Sequence, residues 1–373
     1  MIPNSCVSVC RGCRYRDLTY PESIQKKSDQ NERTLFSFKG ALGSIIQSDG
    51  GPWGLRERVL LHVEPGYRVG LILEDEVLEI PDCPAQHPEV NSIIQSWKLS
   101  FPSGLPVRYI HLNYSLLTIV VKATKAEAPL KELHLWAEDF LLNHPKRLQG
   151  VFLNFHPASG DRVFSEKNWY LLAGTEQGIE TRFRDIGDFT YGPGSFLQNH
   201  LTLYSQALEN AENYLKLHAS PELLFDFYCG IGLSTRRFSR DHFKKVIGVE
   251  LSSRSLRFAH VNSGMSDGSH ELLQGKVEER LPQIDEILKK YSTPVGLFLN
   301  PSRIGLGTKV IQWIIENRTR IGGIAYLSCS AHTLARDLME LDRTGFKVDE
   351  ITPYDFFPMT AHLENLAFIR RAY

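Results

Sequence analysis

The chain has 373 residues, 42% of them hydrophobic and 23% charged, with a formal net charge of −1. That length implies two or three domains with packed cores. The near-zero balance carries no bulk signature of a nucleic-acid binder, although a local basic face survives such a balance. No apolar run nears the roughly 18 residues of a membrane span. The N-terminal MIPNSCVSVCRGC lacks the basic and apolar regions of a signal peptide. A cytoplasmic protein with no membrane partner is expected.

Residues 1–34 form a polar, weakly periodic arm carrying Cys6, Cys10 and Cys13. Six thiols in a cytosolic chain argue against disulfides. Three crowded at the N-terminus, with Cys83, Cys229 and Cys329 dispersed, suggest a metal or cluster site plus thiols with separate tasks. Residues 35–185 read as an α+β domain. VLLHVEP (59–65), YRVGLIL (67–73), LTIVVKA (117–123) and GVFLNFH (150–156) suit strands, and LKELHLWAEDFLLNH (130–144) has helical spacing. Their order favours a mixed sheet.

From residue 186 to 373 the pattern alternates. A helix over 201–217 precedes the strand ELLFDFY (222–228), and KKVIGVEL (244–251), VGLFLNP (295–301) and GGIAYLSC (322–329) are further strands. Helices follow at 253–262, 308–317 and 333–342. This predicts an α/β fold with a doubly wound, mainly parallel Rossmann-like sheet, whose ligand sits beyond the strand C-termini. The basic run Arg236, Arg237, Arg240, Lys244 and Lys245 reads as a solvated helix face.

The unusual residues fall at those strand ends. Asp226-Phe-Tyr228-Cys229-Gly230-Ile-Gly232 is a glycine turn between strand and helix, and Glu250 ends the next strand, where a carboxylate accepts both ribose hydroxyls. A nicotinamide dinucleotide site wants glycine or alanine where Thr235 stands. An acidic residue entering the turn instead favours S-adenosylmethionine, and so methyl transfer over hydride transfer. Asn300-Pro301 fixes a polar loop at a strand tip. Cys329, at the end of its own strand, is a candidate nucleophile if its thiol ionises. Glu364, near the end of ProTyrAspPhePheProMetThrAlaHisLeuGlu, is a candidate general base. Cys229, inside the turn, reads as a packing residue. By spacing alone, Cys6, Cys10, Cys13 and Cys83 suit zinc or an iron–sulfur cluster equally.

Together DFYCGIG, NPSRIG, SCSAHTLARDL and FFPMTAHLE, in that order, resemble the motifs of the RNA uracil-C5 methyltransferase family. The resemblance implies a class I methyltransferase fold over 186–373, with the 35–185 domain binding RNA. It implies S-adenosylmethionine held by Gln198 (of GSFLQNH), Asp226, Tyr228, Gly230, Gly232, Glu250 and Asn300. It implies Cys329 as the nucleophile at uracil C6 and Glu364 as the base that removes the C5 proton, with Arg303 or His362 steadying the enolate oxygen. The cysteine quartet is similar to the 4Fe-4S site of some members, with zinc as the alternative metal. Without a TRAM-type barrel, the chain is most similar to the 23S rRNA branch rather than the tRNA branch, and a monomer is expected. Three positions depart from the family pattern: Ser302 for a second proline, Ser330 for the asparagine after the nucleophile, and His200 for an asparagine. Leu55-Arg-Glu-Arg58 matches a further segment loosely. An RNA cytosine-C5 methyltransferase is the nearest rival, although Ser302 stands where that group carries a second cysteine. A catalytically silent RNA-binding protein on the same scaffold is the other.

Overall fold

The computed structural model describes residues 3, 5–102, 104–157, 162–183, 185–264 and 269–372. The chain divides into two compact units. The first comprises 1–19, 50–181 and 190–199, and the second 20–49, 182–189 and 200–373.

After the first helix, α1 (Tyr20–Thr34), which belongs to the second unit, the chain builds the first unit. Its elements are β1 (Arg58–Glu64), β2 (Arg68–Leu73), β3 (Glu76–Glu79), α2 (Pro88–Ser100), β4 (Val107–Asn113), β5 (Leu116–Val121), α3 (Leu130–Asn143), β6 (Gly150–Phe155) and β7 (Trp169–Gly174). The strands form one sheet in the order β3-β2-β1-β4-β5-β6-β7. It is antiparallel except for the β5–β6 pair, which is the expected mixed sheet. Alternation sends Val59, Leu61 and Val63 of β1 and Ile110 and Leu112 of β4 to one face. There they pack with Val90, Ile94 and Trp97 of α2 and Leu133, Ala137 and Phe140 of α3. A two-stranded ribbon, β8 (Gly178–Glu180) and β9 (Phe189–Tyr191), follows.

The second unit adds α4 (Leu201–His218), β10 (Leu224–Phe227), α5 (Leu233–Asp241), β11 (Val246–Glu250), α6 (Ser253–Asn262), β12 (His270–Gln274), α7 (Val277–Leu288), β13 (Val295–Leu299), α8 (Thr308–Glu316), β14 (Ile321–Ser328), α9 (Ala331–Arg343), β15 (Phe346–Tyr354) and β16 (Glu364–Arg371). The sheet order is β12-β11-β10-β13-β14-β16-β15, parallel up to β14 and antiparallel across β14–β16–β15. The order reverses between β10 and β13, so a crevice opens at their C-terminal ends. α4, α5 and α6 cover one face. α7, α8 and α9 cover the other, in one core with Leu35 and Phe38. Leu42 and Ile46 bridge in parallel to β15 and cover that sheet edge.

The boundary expected at residue 34 differs from this division. Helix α1 belongs to the second unit because its buried stripe, Ser23, Lys27 and Asn31, is bonded there. Lys27 pairs with Asp355, and Asn31 Nδ2 donates to Asn365 Oδ1 at 2.7 Å. The boundary expected at 185 likewise gives way to a crossing, since 182–189 lie with the second unit and 190–199 with the first. The basic run, expected to be a solvated face, lies on α5 and in the loop before β11, and most of it is partnered. Arg237 meets Glu212 at 3.0 Å and Lys244 meets Glu222 at 2.6 Å, while Lys245 lies 3.8 Å from Glu271 and Arg236 donates to the Asp188 carbonyl. Among the described residues no helix is long and apolar enough to cross a membrane.

Candidate active site

The glycine turn sits at the tip of β10. Tyr228, Gly230 and Gly232 all take positive φ, at 66°, 58° and 81°. A side chain on Gly232 would stand 2.9 Å from Ala259 Cα, so glycine is required there for α5 to approach α6. A Cβ on Gly230 would meet nothing, which leaves that flank of the turn open. Cys229 points inward, 6% exposed, and its thiol is pushed well up by burial and the carboxylates of Asp226 and Glu250.

Two carboxylates brace this turn. Asp226 is fully buried and its Oδ2 accepts from Ser234 Oγ (2.7 Å) and Thr235 Oγ1 (2.6 Å), tying β10 to the first turn of α5. Thr235, the residue that disfavours a dinucleotide fingerprint, is therefore a ligand of Asp226. Burial pushes the Asp226 carboxyl up to about 7, against the pull of the two hydroxyls. Its Oδ1 has no partner among the described residues. Glu250, half-buried at the end of β11, accepts from the Gly230 N–H (3.0 Å) and the Ser252 N–H (2.7 Å). Its carboxylate is thus fixed beside the turn with lone pairs to spare for hydroxyl donors. Asn300, half-buried at the tip of β13, donates its backbone N–H to the Phe227 carbonyl (3.3 Å).

The loop after Asn300 is clamped by the start of α9. Buried Asp337 Oδ2 accepts from the Leu306 N–H (2.9 Å) and the Tyr326 hydroxyl (2.8 Å). Arg336 Nη2 donates to the Ile304 carbonyl (3.0 Å), and Thr333 Oγ1 to that of Arg303 (3.2 Å). Gly305 turns at φ +77° where a Cβ would strike Asp337 at 2.7 Å. Sequence reasoning missed this clamp, although its residues lie in the TLARD segment.

The clamp presents Arg303 to Cys329 and Glu364. Ser328 faces Asn365 at the end of the β14–β16 ladder, which brings the next residue on each strand, Cys329 and Glu364, within electrostatic reach of one another. Burial raises the Cys329 thiol, the Glu364 carboxyl raises it further, and Arg303, within hydrogen-bonding reach, lowers it. Glu364 is 3% exposed and burial pushes it up to about 8, opposed by Arg303. Of the two candidates for steadying an oxyanion, Arg303 lies at the pair. His362 has an exposed side chain, and its backbone carbonyl accepts from Lys27 Nζ (3.1 Å).

Two of the three departures from the family pattern are helix caps. Ser330 Oγ accepts from the Thr333 N–H at the start of α9, and His200 Nδ1 from the Leu203 N–H at the start of α4. Serine and asparagine exchange readily at such a position. Ser302 is exposed, and its carbonyl closes a turn to Gly305 N. Gln198 belongs to the first unit, where its carbonyl accepts from Tyr114 Oη (2.9 Å).

In the first unit Cys6, Cys10, Cys13 and Cys83 are half-buried free thiols. Cys13 is raised by burial, lowered by Arg56 and raised again by Cys83, Cys10 and Cys6, so the four sulfurs are electrostatic neighbours. Among the described residues no group of three or more His, Cys, Asp or Glu side chains is arranged to hold a metal ion.

A family model described as tRNA (Uracil-5-)-methyltransferase matches residues 183–372. An uncharacterized RNA methyltransferase of Synechocystis sp. is 28% identical over 401 residues, covering 98% of this chain and 82% of the relative. One from Protochlamydia amoebophila is 28% identical over 382 residues, covering 97% and 81%. Among solved structures, the tRNA (uracil-54, C5)-methyltransferase of Pyrococcus abyssi, in complex with S-adenosyl-L-homocysteine, is similar in fold. Its TM-score is 0.71 at 20% identity, with 97% of this chain and 86% of that chain covered. The chain belongs to the tRNA (uracil-5-)-methyltransferase family, RNA methyltransferases that take their methyl group from S-adenosylmethionine.

Proposed function

We propose that the second unit methylates C5 of a specific uridine in RNA, with 23S rRNA favoured over tRNA. The observation that carries this reading is that Cys329, one residue past β14, and Glu364, at the start of β16, are electrostatic neighbours with Arg303 beside both. S-adenosylmethionine, when bound, supplies a methyl group activated by its sulfonium. Open-flanked Gly230, Gly232, Tyr228 and Asn300 fit the cofactor's cradle, with Glu250 as acceptor for its ribose hydroxyls. Asp226 shapes the turn from beneath. Gln198 is assigned to the cofactor on its Phe-x-Gln element alone.

Uracil C5 is a weak nucleophile until C6 is attacked. The Cys329 sulfur adds to C6 and the ring becomes an enolate, nucleophilic at C5. Arg303 lowers the thiol toward ionisation, and a donor on the enolate oxygen contributes about 3 kcal/mol. After methyl transfer the Glu364 carboxylate takes the C5 proton, C5=C6 re-forms and the C6–S bond breaks. Burial serves this last step, because a carboxylate raised to about 8 is a stronger base than one in water. The target base must leave its stack, at a cost of a few kcal/mol that is smallest in a loop.

The first unit is proposed to bind RNA and to hold a 4Fe-4S cluster, or zinc as the alternative, on Cys6, Cys10, Cys13 and Cys83. An all-thiol donor set suits either metal. The mutual repulsion that raises Cys13 is what a bound cation would relieve. Such a centre would order the N-terminal segment, as methyl transfer needs no redox step. Iron and sulfide content after anaerobic purification tests this, and a zinc-loaded, colourless protein would defeat the cluster.

Labelled methyl transfer to unmodified 23S rRNA and tRNA, followed by nucleoside analysis, tests the whole reading. 5-Methyluridine in rRNA is expected. 5-Methylcytidine would contradict the base assignment, and RNA binding without turnover would leave a silent scaffold.

A further inference from the structure

Helix α1 buries polar groups where helices bury apolar ones. Lys27 is 1% exposed, and its ammonium pairs with the Asp355 carboxylate and donates to the carbonyls of Phe357 (2.9 Å) and His362 (3.1 Å). Tyr20 Oη, from the same helix, donates to the other Asp355 oxygen at 3.0 Å. One turn further on, Asn31 bonds Asn365. Three of these acceptor residues, Asp355, Phe357 and His362, lie on the segment that joins β15 to β16 and delivers Glu364, and the fourth, Asn365, is the second residue of β16.

That segment packs Phe356, Met359 and Leu363 inward and ties its first residue to the Ile46 carbonyl through the Asp355 N–H (2.9 Å). Met359 sits at φ 60°, and the internal bonds run from Thr360 to the Phe357 carbonyl and from His362 N to Thr360 Oγ1. These two bonds close the turn upon itself, and Lys27 adds polar bonds to it from outside. Lys27 gathers both ends of that turn, and Asn31 grips the residue after Glu364. We propose that Lys27 is a positioning residue that aims the Glu364 carboxylate at the reacting base by cinching the 355–362 turn from α1. The inference rests on Glu364 being the base. Lys27 is neutralised by Asp355, and the influences on the Glu364 proton are burial and Arg303, so Lys27 sets the base's direction rather than its acidity.

The reaction offers a readout that a general loss of structure would not reproduce. Once the Cys329 thiol has given up its proton, its addition to C6 and the methylation of C5 ask nothing of Glu364. Only the last step calls on it, when Glu364 takes the C5 proton, that electron pair re-forms C5=C6 and Cys329 leaves as thiolate. With 5-fluorouridine at the target position no proton is available, so the methylated covalent complex forms and stays. Lys27→Met is expected to form that complex within roughly threefold of the parental rate. On uridine RNA it should turn over roughly 30-fold slower or worse, with methylated protein–RNA complex accumulating, the scale of a misplaced catalytic group. If Lys27→Met folds poorly, Lys27→Met combined with Asp355→Asn leaves no lone buried charge and should show the same split. Equal slowing of both steps, or parental turnover in the double variant, would overturn the proposal. Glu364→Gln serves as the control. If it fails to stall on uridine RNA, the assignment of the base is wrong. If it stalls and the Lys27 variants do not, only the positioning role falls.

Discussion

Two turns flank the candidate site, and they are held by opposite means. The Asp226–Gly232 turn is local. Its two glycines, its bracing carboxylate and the hydroxyls that bond one oxygen of that carboxylate lie within ten residues of sequence, with Glu250 one strand away. The Asp355–Glu364 turn is held from Lys27 and Asn31, more than 300 residues earlier in the chain. A local turn fails by losing backbone conformations that only glycine adopts. A remote one fails by losing a buried charge pair. The two should therefore break differently.

The largest effect on folding belongs to the remote turn. Lys27→Met alone strands a buried Asp355 carboxylate and should cost about 3–5 kcal/mol in chemical denaturation, with the double Lys27→Met, Asp355→Asn variant recovering most of it. Equal stability of parental and Lys27→Met protein would mean that α1 is a passenger. For the local turn, Gly232→Val forces a β-branched residue into the left-handed region against Ala259. It should cost about 1–3 kcal/mol in backbone strain and abolish S-adenosylmethionine binding by calorimetry. Glu250→Ala should weaken that binding by roughly 10–100-fold, the scale of charge-assisted hydrogen bonds, while the melting temperature moves little. Unchanged affinity would remove Glu250 from the cofactor site.

Acidity sharpens the comparison in another way. Glu364 is raised to about 8, so the carboxylate form that the proposed role as base requires is the minority form at neutral pH. Turnover should rise with pH through an inflection near 8, with the raised Cys329 thiol acting in the same sense. Arg303 lowers both groups, so Arg303→Ala should move the inflection upward. Stability should run the other way. Asp226 (about 7) and Glu364 keep protons in the folded state that the unfolded chain releases near pH 4, so stability falls as pH rises from about 4 to 8. Asp226→Asn should flatten the part of that slope below pH 7. The smallest effects are at the caps. Ser330→Ala should cost about 1 kcal/mol and Ser330→Asn almost nothing.

The same contrast explains what the sequence disclosed. The parallel sheet was legible because β10, β11, β13 and β14 are apolar runs and because glycine and a strand-end acid mark the switch point in a few adjacent letters. The first sheet was legible in β1, β5 and β6 for the same reason. Helix α1 was not. Its buried residues are Ser23, Lys27 and Asn31, a stripe at helical spacing but polar, which apolar periodicity does not detect. It therefore read as part of the cysteine-bearing arm. The choice between Arg303 and His362 was equally hidden, since it depends on which way two loops turn. The Asp337 clamp that settles where Arg303 sits joins residues about 30 apart in sequence. Ser330 and His200 read only as departures from the family pattern, because their cap geometry lies in hydrogen bonds and not in the residue names.

The central claim is that Cys329 attacks the base and that the methyl group passes through a covalent protein–RNA intermediate. The most direct measurement combines methyl transfer by Cys329→Ala protein with denaturing electrophoresis of the parental protein on 5-fluorouridine-substituted RNA. Covalent attack by Cys329 predicts a parental covalent complex mapped to that residue, and a loss of at least about 10⁴-fold in transfer by the variant, as when a covalent nucleophile is removed. Methyl transfer to uridine C5 by Cys329→Ala at the parental rate would contradict it.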